Sequence, residues 1–166
     1  LFRIDASFGG LQWILNGYLL TLASLILLGG SLGDRYGRRA LFVDGIVVFT
    51  VASLLCAIAP SVEFLIGARL LQGVGGALLT PGSLAMIEAS FKPADRARAI
   101  GAWSGLTGVA AAIGPLLGGY LVDAVSWRAI FLINLPIGAF VAVAATRHVP
   151  ETKDPDAPRT IDYRGA

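Results

Sequence analysis

Charge is scarce in this sequence, so the few polar groups set among apolar residues are where chemistry has to be sought. Arg69 stands in a long apolar run, about a turn and a half past Glu63. A guanidinium at mid-membrane costs about 2.5 kcal/mol or more, so it must snorkel to a boundary or find a partner. At about 100° per residue, Arg69, Gly73, Gly76, Thr80 and Ser83 fall on one small, polar and charged face, with Gln72 adding polar lining. Such a face belongs against another helix or a wet cavity. Gln12 and Asn16, four apart, share a face of the first apolar run, while Tyr18 points elsewhere. These three, with Thr80, are candidate cavity residues; the alternative is interfacial placement or bonding across helices. A pairing of nucleophile with base is not found, because His148 is alone at the end of an apolar run. The single cysteine, Cys56, offers neither a disulfide framework nor a metal site and reads as packing. Gly73–Gly76 fails as a nucleotide loop, since it lies inside an apolar helix with no strand before it, and an enzyme is the weakest reading.

The elements that must position these residues are membrane spans. The chain has 166 residues, 55% hydrophobic and 14% charged, against roughly 25% charge in a soluble domain. Mean hydropathy is +0.73. Five apolar runs reach the roughly 20 residues needed to cross a bilayer: Leu11–Leu32, Ala40–Ala59, Val62–Phe91, Ala99–Val122 and Trp127–Thr146. The 21 glycines suit close-packed membrane helices, and no alternation over about ten residues suggests a barrel. The expected class is therefore an all-α membrane protein. Residues 1–10 read as an external loop without a cleavable signal, 11–147 as the bundle and 148–166, proline-rich and charged, as a cytoplasmic linker. Between the runs, Gly29–Ala40 (GGSLGDRYGRRA) and Phe91–Ala99 (FKPADRARA) read as basic loops. Pro81 predicts a kink in the third span. Gly101, Gly105, Gly108, Ala112, Pro115 and Gly119 form a groove without side chains on the fourth span, opposite Trp103, and Gly114-Pro115 predicts a bend. Net charge +2 does not imply nucleic acid, because the basic residues are distributed among span ends.

Loop charge sets orientation. With alternating loops, one side holds Arg35, Arg38, Arg39, Lys92, Arg96, Arg98, Arg147, Lys153, Arg159 and Arg164, and the other holds Arg3 and Arg128. The positive-inside rule makes the first side cytoplasmic and the N-terminus external, which implies a preceding span. Gly30–Phe42 also aligns at a fixed offset with Gly119–Phe131, matching Gly30/Gly119, Leu32/Leu121, Asp34/Asp123, Arg39/Arg128, Ala40/Ala129 and Phe42/Phe131 on opposite sides of the membrane. That pattern is an inverted repeat of three helices, and it assigns the runs as spans two to six of a six-helix, three-plus-three bundle.

On these motifs the chain resembles the major facilitator superfamily. GGSLGDRYGRRA resembles the family's loop between spans two and three, Arg69–Ala77 (RLLQGVGGA) its span-four pattern, and Ala111–Leu121 (AAIGPLLGGYL) the span-five pattern of proton antiporters. Ser126–Gly138 and Thr160–Ala166 are similar to segments of the drug:proton antiporter branch with fourteen spans. The resemblance implies a transporter, proton-coupled and exporting small amphipathic compounds or drugs by alternating access, in the plasma or inner membrane. It implies no cofactor beyond the proton, and as partners the lipid bilayer, a small-molecule substrate, a first span and a C-terminal half. It further implies that Gly30, Asp34, Arg35, Gly37, Arg38 and Arg39 form a cytoplasmic gate, that Arg69, Gln72 and Gly73 take part in proton coupling, and that Gly114, Pro115, Gly118 and Gly119 shape the antiporter bend. A carboxylate amid guanidiniums at a helix terminus can hold two arrangements of bonds, which is what a switch needs. The rival readings are a metabolite facilitator or symporter and a non-transporting membrane scaffold. The proton-carrying acid cannot be named, because Glu63, Glu88 and Asp123 all lie near span ends.

Overall fold

The computed structural model describes residues 7–152. Arg3, Lys153, Arg159, Arg164 and the Thr160–Ala166 motif lie outside the described residues. Within them the chain is helical: α1 (Phe8–Tyr36), α2 (Arg38–Ile58), α3 (Val62–Ser90), α4 (Pro93–Ala124), α5 (Ala129–Leu132) and α6 (Asn134–His148). By length and composition, α1 to α4 and the α5–α6 pair give five helices able to cross a membrane.

Local chemistry sets the boundaries. The Ser7 hydroxyl accepts from Gly10 N–H at 3.1 Å, and the Ser61 hydroxyl accepts from Phe64 N–H at 3.2 Å, so α1 and α3 each begin on a serine cap. Pro93 opens α4 at a position whose N–H would have no partner. The joint at Ile133 keeps right-handed helical geometry, and Pro136, three residues on, has no N–H to return to Leu132, which explains the division of α5 from α6.

Two segments expected to be loops are mostly helix. α1 continues through Gly29, Gly30, Gly33, Asp34 and Arg35, and the chain breaks only at Gly37, with φ 122°. The Asp34–Arg38 pair then bridges the break. The second basic segment is helical from Pro93 onward, leaving Phe91 and Lys92 as the connection. Both α3 and α4 run on through Pro81 and Pro115 as single helices.

α3 is the central element, packed against α1 on one side and α2 on the other. Small residues make this possible. A β-carbon on Gly73 would lie 2.7 Å from Tyr18 O, and one on Gly75 would lie 2.6 Å from Phe49 N. Pro81 leaves the Ala77 carbonyl without its usual intrahelical donor, and the backbone of α1 at Gly29 presses directly on that oxygen. A core of Cys56, Ala59, Leu65 and Ala68 is covered by Ile14, Leu55, Trp127 and Phe131, the last two rings meeting edge to face at 6.3 Å.

α2 and the α5–α6 span run antiparallel and are tied at both ends. Arg128, at the start of α5, donates from Nη2 to Ala59 O at 2.9 Å and from Nη1 to Ala57 O, capping the last carbonyls of α2. Arg39, its repeat mate, donates from Nη1 to Val149 O at 3.1 Å, the C-cap carbonyl of α6. Each arginine thus closes the end of the helix that the other one starts, so the Gly30–Phe42 and Gly119–Phe131 segments make matching contacts at opposite ends of the pair.

Candidate functional site

The mid-bundle site is built around Arg69. Its Nε donates to Ile14 O of α1 at 3.1 Å and its Nη1 donates to Gln72 Oε1 one turn on. The guanidinium carbon lies 4.2 Å from the centre of the Tyr18 ring and 6.0 Å from that of Phe131, so aromatic faces supply part of the charge stabilisation. Glu63 lies exposed in the first turn of α3, and among the described residues no carboxylate forms an ion pair with Arg69.

From Arg69 a chain of hydrogen bonds crosses the bundle. Gln72, 1% exposed, donates from Nε2 to Ser53 Oγ of α2 at 2.7 Å. Ser53, fully buried, donates to Phe49 O at 2.8 Å and also accepts from Asn134 Nδ2 of α6 at 3.3 Å. Both polar atoms of Gln72 and the Ser53 hydroxyl, the buried members of this path, have partners, as burial in an apolar bundle demands. The arrangement holds a permanent cation in a fixed place. An arginine does not itself give up a proton, so it can act only by field and hydrogen bond on a titrating neighbour.

The second cluster sits where α1 gives way to α2. Asp34 Oδ1 accepts from Arg38 Nε at 2.8 Å, and Arg38 Nη2 lies 2.8 Å from the same oxygen as an ion pair. Glu151, beyond α6, reaches back to the start of α2: its carboxylate accepts from Arg39 N–H and Ala40 N–H, each at 3.1 Å, while Arg38 N–H donates to Thr152 O at 2.9 Å. Three otherwise orphaned N–H groups are so satisfied, with a negative charge at the positive end of the helix dipole. Arg39 Nε adds an ion pair to Glu151 at 3.5 Å. Arg35 is exposed, its guanidinium 5.2 Å from the Tyr36 ring centre, and takes no part in this network. Gly30, Gly33, Asp34 and Arg38 line a cleft of about 140 Å³ facing Pro81 and Gly82 of α3.

Gly37 is needed twice over. Its φ of 122° suits glycine, and a β-carbon there would stand 2.6 Å from Glu151 Oε1. We expect Gly37→Ala to lower stability by about 1–2 kcal/mol from backbone conformation alone and to dislodge Glu151 as well. Thermal melting of Gly37→Ala, Glu151→Gln and the double variant should then show a combined loss smaller than the sum of the singles.

The other expected site residues are dispersed. Tyr18 and Gly73 join the Arg69 cluster, Gly73 as the contact point with α1. Gln12, Asn16 and Thr80 are exposed, and the Thr80 hydroxyl donates to Gly76 O of its own helix at 2.7 Å. α4 has no buried residue, and nothing among the described residues lies within 4 Å of where β-carbons on Gly114, Gly118 or Gly119 would be. The groove on α4, expected to pack closely, has no partner there. Ser53, Asn134 and Glu151 are the participants that sequence reading did not select.

Comparison with known proteins agrees with these motifs. The chain is 45% identical to the methylenomycin A resistance protein of Bacillus subtilis, covering 87% of this chain and 31% of that protein. It is 40% identical to the tetracenomycin C resistance and export protein of Streptomyces glaucescens, covering 98% and 30%. The chain therefore spans less than a third of the length of these relatives. A solved peptide transporter matches its fold with a TM-score of 0.69 at 20% identity, over 82% of this chain and 28% of that one. The family model for the Major Facilitator Superfamily matches residues 3–162, and the chain belongs to that superfamily.

Proposed function

We propose that this chain is the N-terminal part of a proton-coupled exporter of small amphipathic compounds that works by alternating access. The observation that carries the reading is Arg69: a cation held among four helices by a satisfied polar chain, with no carboxylate paired to it among the described residues. A fixed positive charge without a resident counter-ion is suited to bind an acid when that acid is ionised and release it when protonated. The relatives' names, which speak of antibiotic resistance and export, support the substrate class.

In this reading the cluster of Asp34, Arg38, Arg39 and Glu151 is cytoplasmic and closes that side in the outward-facing state. The proton is the coupling ion, and the substrate path is completed by the rest of the transporter within the cell membrane. The direct test uses the full-length protein in inside-out vesicles with ethidium as probe. An acid-inside gradient should drive ethidium uptake, and collapsing it with nigericin should reduce uptake about tenfold, the change expected when the proton supplies about 1.4 kcal/mol or more of driving force. Equal uptake without a gradient would mark a facilitator, and uptake driven by the opposite gradient a symporter.

A further inference from the structure

A second cavity, of about 620 Å³, lies at the end of the bundle that carries the Asp34 cluster, walled by the start of α2, the end of α3, α4 and the end of α6. Its size is that of a ligand site, in the range of roughly 300–1,000 Å³. Four aromatic side chains, Phe42, Phe91, Trp103 and Phe140, line it together with Ala144, and His148 stands among the lining residues at the helix end. Its mouth is basic. Arg96 Nε donates to Phe91 O at 3.2 Å, which fixes that guanidinium beside the cavity. Lys92 caps α4 and Arg147 lies in the last turn of α6. Asp44, Glu88, Asp95 and Glu151 are the acids nearest in sequence to the lining and these cations; Glu151 pairs with Arg39, and among the described residues Lys92, Arg96 and Arg147 form no ion pair.

We infer that this cavity binds a phospholipid with an anionic headgroup, one acyl chain lying among the aromatic rings and the phosphate meeting Arg96. An apolar chamber at a helix end with the Arg96 guanidinium held beside it matches a lipid in both halves: chain to ring, phosphate to guanidinium. The side of α4 involved supports lipid over protein. Trp103, which faces the chamber, is opposite the glycine groove, and the groove is the surface that a further helix of the transporter would fit. The inference needs the spans to be embedded in a bilayer and does not depend on the direction of transport or its coupling to protons.

The test uses the full-length transporter in nanodiscs of phosphatidylglycerol and phosphatidylcholine, followed by native mass spectrometry after mild detergent release. The wild type should retain one phosphatidylglycerol, favoured about tenfold over phosphatidylcholine as a charge-assisted contact would give. Ala144→Trp, which fills the chamber, should lower retention about fivefold. Arg96→Gln, an exposed change that does not threaten folding, should erase the headgroup preference while leaving the chain bound. A phosphatidylglycerol with a diazirine in its acyl chain should label the peptides holding Phe91 and Trp103. The inference is overturned if Ala144→Trp retains as much lipid as the wild type, if the wild type holds both lipids equally, or if labelling falls instead on Leu106 and Leu116. Ethidium efflux measured on the same samples reports the transport reading separately.

Discussion

Arg69→Ala should reduce gradient-driven ethidium transport by about 100-fold, equivalent to about 2.7 kcal/mol of lost coupling, while the protein still reaches the membrane. Two effects combine. The fixed cation disappears, and Gln72, 1% exposed, loses the donor to its Oε1. An unsatisfied buried amide costs about 1–3 kcal/mol, too little to unfold a five-span bundle but enough to disturb the chain through Ser53 to Asn134. Arg69→Lys separates charge from geometry. A lysine ammonium keeps the charge, yet it is a compact point donor without the planar fork that meets Ile14 O and Gln72 together or the flat face that stacks on Tyr18. We expect Lys to restore less than about a tenth of the activity. If Arg69→Ala transports with an unchanged dependence on the pH gradient, Arg69 is a structural pin and the coupling role fails.

A large stability effect is expected at Gly75. An added β-carbon would sit 2.6 Å from Phe49 N, 2.8 Å from Phe49 Cα and 2.9 Å from Gly45 O, all backbone atoms that cannot swing aside. Gly75→Ala must therefore push α2 and α3 apart along their whole contact, with a cost at or above the roughly 1–3 kcal/mol typical of overpacking. Gly75→Val should prevent accumulation of folded protein. Gly67, eight residues earlier on the same helix, has open space around it, so Gly67→Ala should be neutral or stabilise by about 0.5–1 kcal/mol. Fluorescence-detected size-exclusion and thermal melting of the three variants would decide the matter, and equal melting of Gly75→Ala and Gly67→Ala would refute the packing argument.

The parts of this molecule legible in the sequence were those with a local or periodic signal. Apolar length marked the five spans, and the cost of a guanidinium in hydrocarbon marked Arg69. The Gly29–Ala40 segment misled because glycines and charges usually end helices in water; here Gly29 and Gly30 face α3, Gly33 faces α2 and the Asp34–Arg38 bond spans the break, so only Gly37 interrupts the helix. Ser53 gave no signal, since a lone hydroxyl in an apolar run commonly bonds its own helix, as it does to Phe49 O. Its second role arises only when α3 and α6 bring Gln72 and Asn134 to it. Glu151 is separated from Ala40 by 111 positions, and neither residue carries a mark of the other. Exposed Gln12 and Asn16 show the reverse: a shared helical face established their alignment but not what they face.

The paired arginines at the two ends of α2 have a mechanical consequence. Arg128 fastens the far end of α2 to the start of α5, and Arg39 fastens the near end to the finish of α6. A slide of one helix past the other by a turn, about 5.4 Å, would break both fastenings at once, each a charge-assisted bond of about 1.5–3 kcal/mol. The pair is therefore a strut: it can tilt as a unit but cannot shear. A displacement of α2 at the Glu151 end is therefore expected to carry α5 and α6 with it as far as Arg128.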